Sequence, residues 1–389
     1  MTSISKWLWA GAGVATASYA AHVASAYRRF GHPRPARGDA RDELLDEFMP
    51  VHDVADRHSI DITAPPEVVL ATAKEHRLDS SRIIRGIFAA RQLILRGQQG
   101  ATSPQGLLEG MKAIGWAVLA ERPGRELVLG AVTRPWDANP VFRPIQPAEF
   151  AAFSEPDHVK IVWTLRADPA PGGTTFRTET RAVATDAGAR AKFRRYWSLL
   201  SPGIIAIRVV MLPALKTAAE RAWQIDGDDI LPDARTQFTH TTTIAAPPGD
   251  VWPWLVQMGC QRGGWYSWDV LDNGGTRSAD HIIPELQHLA VGDILPYRPE
   301  GSDGFRVVRL EPERALVLES ETPDFVGTWA FVLQPIATNQ TRLVVRYRAA
   351  YPPSAKMALR VPVMEQIHGF MERKQLKTLK RRAEHMHAS

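Results

Sequence analysis

Polar and aromatic side chains able to do chemistry are concentrated in residues 263–285. Nonperiodic segments of this length usually carry a function. In one interpretation the aromatic rings line the mouth of an apolar cavity, and the polar groups orient a ligand there. In the other, the tryptophans close the open end of a sheet, and the Asp and Asn side chains cap turns. The residues concerned are Trp265, Tyr266, Trp268, Asp269, Asp272, Asn273, Arg277, Asp280, His281 and Glu285.

Two of these residues, His281 and Glu285, are four positions apart. On one helical turn such a pair could pass a proton or bind a metal ion. Pro284 interrupts an ideal helix between them, and neither an H-E-x-x-H motif nor a cysteine-rich set accompanies them. We therefore predict no metal site and no cofactor. The catalytic candidates are Asp269, His281 and Glu285, and an exposed loop pair is the alternative for the last two.

Charged pairs also occur in the first half of the chain. Glu179 and Arg181 alternate onto one face of a predicted strand. They are either polar groups of a cavity or part of a salt-bridge network on a solvated face, where such pairs contribute little stability. The segment from Arg134 to Phe153, which contains Trp136, is rich in aromatic residues and prolines. It forms either a lip over a first pocket or a rigid covering loop.

The composition limits the function classes. The 389 residues carry a net charge of +5 and are 44% hydrophobic, which is ordinary for a globular protein and does not indicate a nucleic-acid partner. The sequence contains no phosphate-binding glycine loop, nucleophile elbow or dinucleotide fingerprint, which argues against kinases, α/β-hydrolases and Rossmann oxidoreductases. Cys260 is the only cysteine, so the chain forms no internal disulfide and no cysteine-based zinc site.

The N-terminus carries an uncharged stretch, residues 7–27, that ends at Arg28 and Arg29. It is long enough to cross a bilayer as a helix, and the basic residues after it place the following domains in the cytoplasm. We predict a membrane anchor at residues 1–30 and a tether at 31–50. Residues 24–26 resemble an A-x-A cleavage site, so secretion after removal of a signal peptide is an alternative. A soluble or surface-lying helix is another.

The chain contains an internal repeat whose period far exceeds that of a solenoid. Residues 58–69 read H-S-I-D-I-T-A-P-P-E-V-V, and residues 240–251 read H-T-T-T-I-A-A-P-P-G-D-V. Further along, Trp163 corresponds to Trp329 and Glu220 corresponds to Glu384, so the offset falls from 182 to 166 and 164. A duplication with a shorter middle in the second copy explains this drift, and each copy is long enough to be a complete domain.

Both copies show the same order of elements: a strand, helices, a meandering antiparallel sheet and a long final helix. In the first copy the final helix is predicted from 187 to 223, interrupted near Ser201-Pro202-Gly203 and bent at Pro213. Residues 224–235 are rich in aspartate and lack a hydrophobic period, which indicates a linker. The predicted domains are therefore residues 51–223 and 236–389.

This order, with the A-P-P helix start and the closing helix, resembles the START-like (SRPBCC) superfamily, which includes polyketide cyclases and lipid-transfer proteins. The matching segments are Thr178 to Trp197 in the first copy, and Gly264 to Asn273 and Met371 to Glu384 in the second. The resemblance implies an α+β fold of two helix-grip domains, each a curved antiparallel sheet around a long C-terminal helix, after an N-terminal hydrophobic helix. The resemblance implies a cavity between each sheet and its helix, but it does not indicate a particular activity, because folds of this type serve unrelated functions.

We predict that the protein binds or transports a hydrophobic small molecule at a membrane, such as a lipid, an isoprenoid or a polyketide-like compound. One alternative is a cyclase or dehydratase-type enzyme that uses a loop carboxylate or His281 to move protons. Another is a non-catalytic interaction scaffold whose cavities are filled. The residues expected to contact the ligand are Trp265, Tyr266, Trp268, Asp272, Asn273, Trp136, Trp163 and Trp329.

Overall fold

A computed structural model describes residues 17–77, 81–95, 106–299 and 303–388. The chain divides into two compact units. The first contains the residues up to Pro169 together with Thr174–Ala222. The second contains the residues from Trp223 onward together with Ala170–Gly173. Each unit has its own sheet and its own long final helix.

The first unit begins with helix α1 at residues 17–29. Its sheet has five strands in the order β1-β5-β4-β3-β2, and the pairs β1/β5, β3/β4 and β2/β3 are antiparallel. The helices are α2 (Glu43–Phe48), α3 (Pro66–Glu75), α4 (Arg82–Leu95), α5 (Leu107–Ala113), α6 (Pro147–Phe150) and α7 (Ala187–Ala222). The strands are β1 (Val54–Ile62), β2 (Ala117–Arg122), β3 (Glu126–Thr133), β4 (Val159–Ala170) and β5 (Gly173–Ala184).

The second unit repeats this plan with six strands in the order β6-β11-β10-β9-β8-β7, and all neighbouring strands are antiparallel. The helices are α8 (Pro248–Val256), α9 (Asp269–Asp272) and α10 (Ala355–Ala388). The strands are β6 (Thr236–Ile244), β7 (Ile294–Pro296), β8 (Gly304–Glu311), β9 (Ala315–Thr322), β10 (Phe325–Ala337) and β11 (Gln340–Ala350).

The long helix of each unit buries one stripe of side chains. In α10 that stripe contains Leu376, Leu379 and Ala383, which are fully or almost fully buried. Spacings of three and four residues place them on one helical face, and burial of this face stabilises the unit. The α+β fold of two helix-grip units predicted from the sequence is therefore confirmed.

The final helix of the first unit differs from its prediction in one respect. Helix α7 is continuous from Ala187 to Ala222 and contains both Pro202 and Pro213. The sequence predicted an interruption at the first proline and a bend at the second. An interior proline removes one backbone donor, and here the helix continues because packing holds it, with Met211, Leu212 and Leu215 buried on either side of Pro213.

The described part of the N-terminal helix packs on α7. The Tyr19 hydroxyl donates a 2.7 Å hydrogen bond to the Leu199 carbonyl, and the Arg194 guanidinium lies 3.8 Å above the centre of the Tyr27 ring. Residues 1–16, which hold most of the predicted anchor, lie outside the described residues. Within the described residues, one helix, α7, is long and apolar enough to cross a membrane by length and composition. This helix is the one that the first sheet grips, and the same test is passed by core helices of soluble proteins.

Candidate functional site

A cavity of about 250 Å³ lies beside α10 in the second unit. Aromatic rings form much of its wall: Trp265 stacks on Trp329 at a centroid distance of 5.5 Å, and Phe305 contacts Trp265 edge to face. Such walls suit a flat or alicyclic apolar ligand. The lining residues are Trp265, Ser267, Leu271, Asp272, Tyr297, Phe305, Trp329, His368, Met371, Glu372 and Gln375.

Glu372 is the buried polar centre of this cavity. It lies on the inward face of α10, one turn before Leu376, and is 2% exposed. Its Oε1 accepts a 3.1 Å hydrogen bond from the Trp329 indole, and its Oε2 is hydrogen-bonded to Nδ1 of His240 on β6. A buried carboxylate is tolerated when donors compensate for the lost water. The helix and two strands thus hold one acidic group at a fixed place in the wall.

Two further titratable groups line the same cavity. Nδ1 of His368 lies 3.9 Å from Oε2 of Glu372 and has no hydrogen-bond partner among the described residues. Burial lowers the pKa of His368, against the pull of Glu372, so the ring is neutral at pH 7. Burial and the nearby charge of Asp269 raise the pKa of Asp272 to about 6. Near neutral pH, His368 can accept a proton and Asp272 can supply one.

Gln375 provides an acceptor in the same wall. Its Nε2 donates a 3.0 Å hydrogen bond to the Trp265 carbonyl. Its Oε1 is buried and has no donor among the described residues. Because an unsatisfied buried acceptor costs free energy, this atom is suited to receive a hydroxyl or N–H group of a bound molecule.

The first unit has a cavity of about 320 Å³ beside α7. The Trp163 indole N–H donates to the Thr178 hydroxyl at 2.6 Å, which fixes the ring. The Arg208 guanidinium lies 4.0 Å from the centre of that ring and donates to the Thr180 hydroxyl at 3.1 Å. The lining residues are Met111, Ile114, Trp116, Pro135, Pro140, Phe142, Ile161, Trp163, Thr180, Ala182, Phe193, Tyr196, Trp197, Ile204, Ile207 and Arg208.

The structure places half of the predicted ligand-contact residues in the two cavities. Trp265, Asp272 and Trp329 line the second cavity, and Trp163 lines the first. The other four lie outside the described linings.

Those four have structural contacts instead. Tyr266 is buried in the core, where its hydroxyl accepts a hydrogen bond from Gln257 and burial raises its pKa to about 12. Asn273 joins the backbone of Gln261 and Thr276 across its loop. Trp268 is 41% exposed and stacks on Phe370, and Trp136 lies under the Lys192 ammonium group.

The three catalytic candidates lie outside the described lining of the second cavity. Asp269 begins α9 and accepts a 2.6 Å hydrogen bond from Ser278. His281 is exposed and pairs with the equally exposed Asp280, while Glu285 is exposed in a short 3-10 turn. Their catalytic role stays a prediction. Of the acidic residues singled out in this loop, Asp272 is the one that lines the cavity.

The charged pair Glu179 and Arg181 belongs to a buried network at helix α2. The Arg181 Nε donates to Glu179 at 2.5 Å, and its Nη1 donates to Asp46 and to the Met49 carbonyl. The ion pairs are present, but the prediction of a solvated face was wrong, because Glu179 and Arg181 are buried. Within the described residues, no group of three or more His, Cys, Asp or Glu side chains is placed to hold a metal ion.

Sequence reasoning missed the polar groups that the long helices bring to the cavities. Arg208 precedes the buried Met211, Leu212 and Leu215, and Glu372 precedes the buried Leu376 and Leu379, at helical spacing. A charged residue in register with a buried stripe was the available signal. A second signal was the spacing of His368 and Glu372, which are four residues apart on one helix.

No family model and no curated protein sequence matches the chain. Among solved structures, it is similar to the di-domain aromatase/cyclase StfQ from the steffimycin biosynthetic pathway, at 13% identity over 86% of this chain and 100% of that chain, with a TM-score of 0.27. It is also similar to the di-domain aromatase/cyclase BexL, at 15% identity over 86% and 99% of the two chains, with a TM-score of 0.24. A third is the Zhui aromatase/cyclase from a Streptomyces species, at 17% identity over 38% and 93%, with a TM-score of 0.23.

These similar structures include di-domain aromatase/cyclases, as the resemblance to polyketide cyclases led us to expect. At these identities and TM-scores the likeness carries no argument about what this chain does. The two antiparallel sheets and their long final helices establish the fold by themselves. The chain is a tandem of two helix-grip units.

Proposed function

We propose that the protein binds a compact hydrophobic small molecule, of the lipid, isoprenoid or polyketide-like class, in the cavity of each unit. The observation that carries this proposal is the pair of cavities walled mainly by aromatic and aliphatic side chains beside α7 and α10. Their volumes, about 320 and 250 Å³, lie near the lower end of the range of small-molecule pockets. A compact molecule fits them better than a phospholipid with two acyl chains.

A neutral fluorescent probe tests this proposal. The full chain, purified without detergent, is titrated with N-phenyl-1-naphthylamine, whose emission rises in apolar surroundings, and native mass spectrometry counts the bound probes. Ala182 and Ser267 line the first and second cavity, so Ala182→Phe and Ser267→Phe should each abolish one site. The exposed Ala152→Phe is the matched control and should bind as wild type does. Binding that survives both cavity-filling changes would contradict the proposal.

A second candidate function is a cyclase or dehydratase-type reaction in the second cavity. It is favoured by the three titratable groups in that wall, Asp272, His368 and Glu372. An apolar cavity that folds a substrate next to groups able to give and take protons near pH 7 has the components for enolisation and loss of water. The first cavity has no carboxylate or imidazole among its described lining residues, so the reaction is assigned to the second unit.

Proton transfer can be measured before a natural substrate is known. The full chain is incubated with 1-tetralone in deuterium oxide, and incorporation of deuterium next to the carbonyl is followed by mass spectrometry. Exchange faster than in buffer should fall about 100-fold in Asp272→Asn or His368→Phe. Exchange that is equally fast with Glu285→Gln supports the assignment to Asp272, because Glu285 is an exposed carboxylate of the same loop that lies outside the described lining. No exchange above buffer by the wild type would count against ketone chemistry.

We also propose that residues 1–30 attach the protein to a membrane, with the two units in the cytoplasm. The support is the uncharged stretch and the arginines that follow it. The full chain should float with membranes in a density gradient, and a chain that begins at residue 31 should not. A mature protein whose N-terminus lies near residue 27 would instead establish the cleaved signal peptide.

A further inference from the structure

The two repeats place opposite charges at equivalent positions of their long helices. Arg208 lies twelve residues before Glu220, and Glu372 lies twelve residues before Glu384, the partner of Glu220 in the repeat. Each of the two contacts the equivalent tryptophan: Arg208 lies over Trp163, and Glu372 accepts from Trp329. The duplicated framework thus offers a cation to one cavity and an anion to the other.

Among the described residues, no ion pair accompanies the buried charge of Arg208. Its side chain is 9% exposed, and no carboxylate of the described residues lies within 4.0 Å of it. Burial lowers its pKa to about 10, partly offset by the more distant Asp56, so the guanidinium is charged at neutral pH. Asp56 is itself hydrogen-bonded to His58 at 2.9 Å. A buried and uncompensated charge is costly, and an anion from outside the chain would remove that cost.

Hydrogen-bond donors are in excess in this cavity. The guanidinium has five N–H groups, and among the described residues it donates only to the Thr180 hydroxyl. The Trp116 indole N–H is also buried and has no acceptor among the described residues. Both residues line the cavity, where Arg208 is the only charged residue of the described lining.

We propose that the first cavity binds a hydrophobic, ring-containing molecule through a carboxylate that pairs with Arg208. This inference rests on the proposed function, because it assumes that the first cavity takes an apolar ligand. A carboxylate matches the planar donor fork of a guanidinium and accepts two hydrogen bonds. The contact with the Trp163 ring and the hydrogen bond to Thr180 restrain the guanidinium before the ligand arrives.

The single positive charge in the lining of the first cavity favours a ligand with one negative charge. One guanidinium neutralises one negative charge, and the rest of the described lining is uncharged, so a phosphate monoester would bring a second, unpaired charge into an apolar site. The second cavity disfavours the same ligand, because Glu372 and Asp272 line it. A carboxylate should therefore enter the first cavity and be rejected by the second.

A matched pair of probes tests the proposal in the full chain. Anthracene-2-carboxylate and anthracene-2-carboxamide have nearly the same shape, and only the first is charged at pH 7.5. Isothermal titration calorimetry gives the affinity of each for the wild type, Arg208→Gln and Arg208→Lys. Arg195→Gln removes an exposed arginine from the same helix and is the matched control.

We expect the wild type and Arg195→Gln to bind the carboxylate at least about tenfold more tightly than the amide. Arg208→Gln should weaken carboxylate binding about 10- to 100-fold and change amide binding less than about threefold. The affinity of Arg208→Lys for the carboxylate should lie between those of the wild type and Arg208→Gln, because lysine keeps the positive charge and lacks the planar pair of N–H donors. At one ligand concentration the carboxylate should also raise the Tm of the wild type more than that of Arg208→Gln, and a cooperative melt of each protein shows that it is folded.

Failure of the carboxylate proposal and failure of the proposed function give different results. Equal affinities for the two probes in the wild type, or a carboxylate preference that survives Arg208→Gln, would overturn the role of Arg208 and leave apolar binding intact. Loss of carboxylate binding in Ala182→Phe assigns that binding to the first cavity, and persistence of carboxylate binding in this variant refutes the assignment. If neither probe binds the wild type, the proposed function itself fails for ring-containing ligands.

Discussion

Replacement of Glu372 by leucine should destabilise the second unit. The buried Trp329 indole, 7% exposed, would lose its acceptor, which costs about 1–3 kcal/mol. The His240 side chain is 26% exposed, so water can replace its partner and we expect about 0.5 kcal/mol or less from it. The expected loss for Glu372→Leu is therefore about 2 kcal/mol.

Urea denaturation of the full chain measures this loss, with hydrogen exchange used to assign the transition to residues 236–388. At a typical slope, 2 kcal/mol corresponds to a midpoint lower by about 1 M urea. Glu372→Gln should stay within about 1 kcal/mol of the wild type, since its carbonyl can still accept from Trp329 and His240 can change tautomer.

The matched control is Glu384→Leu, on the same helix and with the same change. Glu384 is partly exposed, pairs with Lys380 and accepts a 2.8 Å hydrogen bond from the backbone N–H of Ala245. Water can replace both partners at this exposed site, so the loss of Glu384 should cost less than about 1 kcal/mol. If Glu372→Leu unfolds at the same urea concentration as the control, the hydrogen bonds of Glu372 do not contribute to stability. The conclusion that Trp329 and His240 hold the Glu372 carboxylate in place would then be wrong.

Three further predictions concern stability. Asp228→Asn should cost about 3–5 kcal/mol, because it leaves the buried Arg346 and its neighbour Arg348 without their shared carboxylate; an unchanged urea midpoint would refute this. The lowered pKa of His368 means that the folded state binds fewer protons than the unfolded chain, so its contribution is full above about pH 6.5 and is lost as the pH falls. His368→Phe should flatten the fall in unfolding free energy between pH 7 and pH 5, and an unchanged slope would contradict the assignment. Burial and the nearby Asp42 raise the pKa of Glu126 to about 8, so the folded state holds a proton that the unfolded chain releases, and stability falls as the pH rises from about 4.5 to 8. Glu126→Gln should therefore gain stability relative to the wild type at pH 9 and gain little at pH 5, as measured by Tm at the two pH values.

The sequence predicted the framework because framework signals are local. Alternation along β5 and the three- and four-residue spacing of Leu376, Leu379 and Ala383 indicate strand and helix without knowledge of their partners. The repeated A-P-P starts place Pro66 and Pro248 at the first turns of α3 and α8, where a missing donor costs nothing. The residue periodicity and the A-P-P helix starts can both be recognised in short segments of sequence. Because the chain is duplicated, the pattern in each copy supports the interpretation of the other.

The loop 263–285 was harder to interpret because it lacks a period. The spacing of residues along this loop does not indicate that Trp265 and Asp272 line the cavity or that Trp268 lies on the surface. Path and burial of a loop depend on the elements it covers. The sequence singled out a loop that contributes to the lining of the second cavity, but it could not select which residues of the loop do so.

Only the tertiary structure decided the chemistry of the cavities. His240 and Glu372 are 132 residues apart and meet because the sheet folds around α10. The pKa changes of Asp272, His368 and Arg208 come chiefly from burial, which is set when the chain packs. Sequence by itself determined two helix-grip units with a pocket expected in each. The opposite charges held in those pockets depend on which helical face each sheet covers, and that is a property of the folded chain.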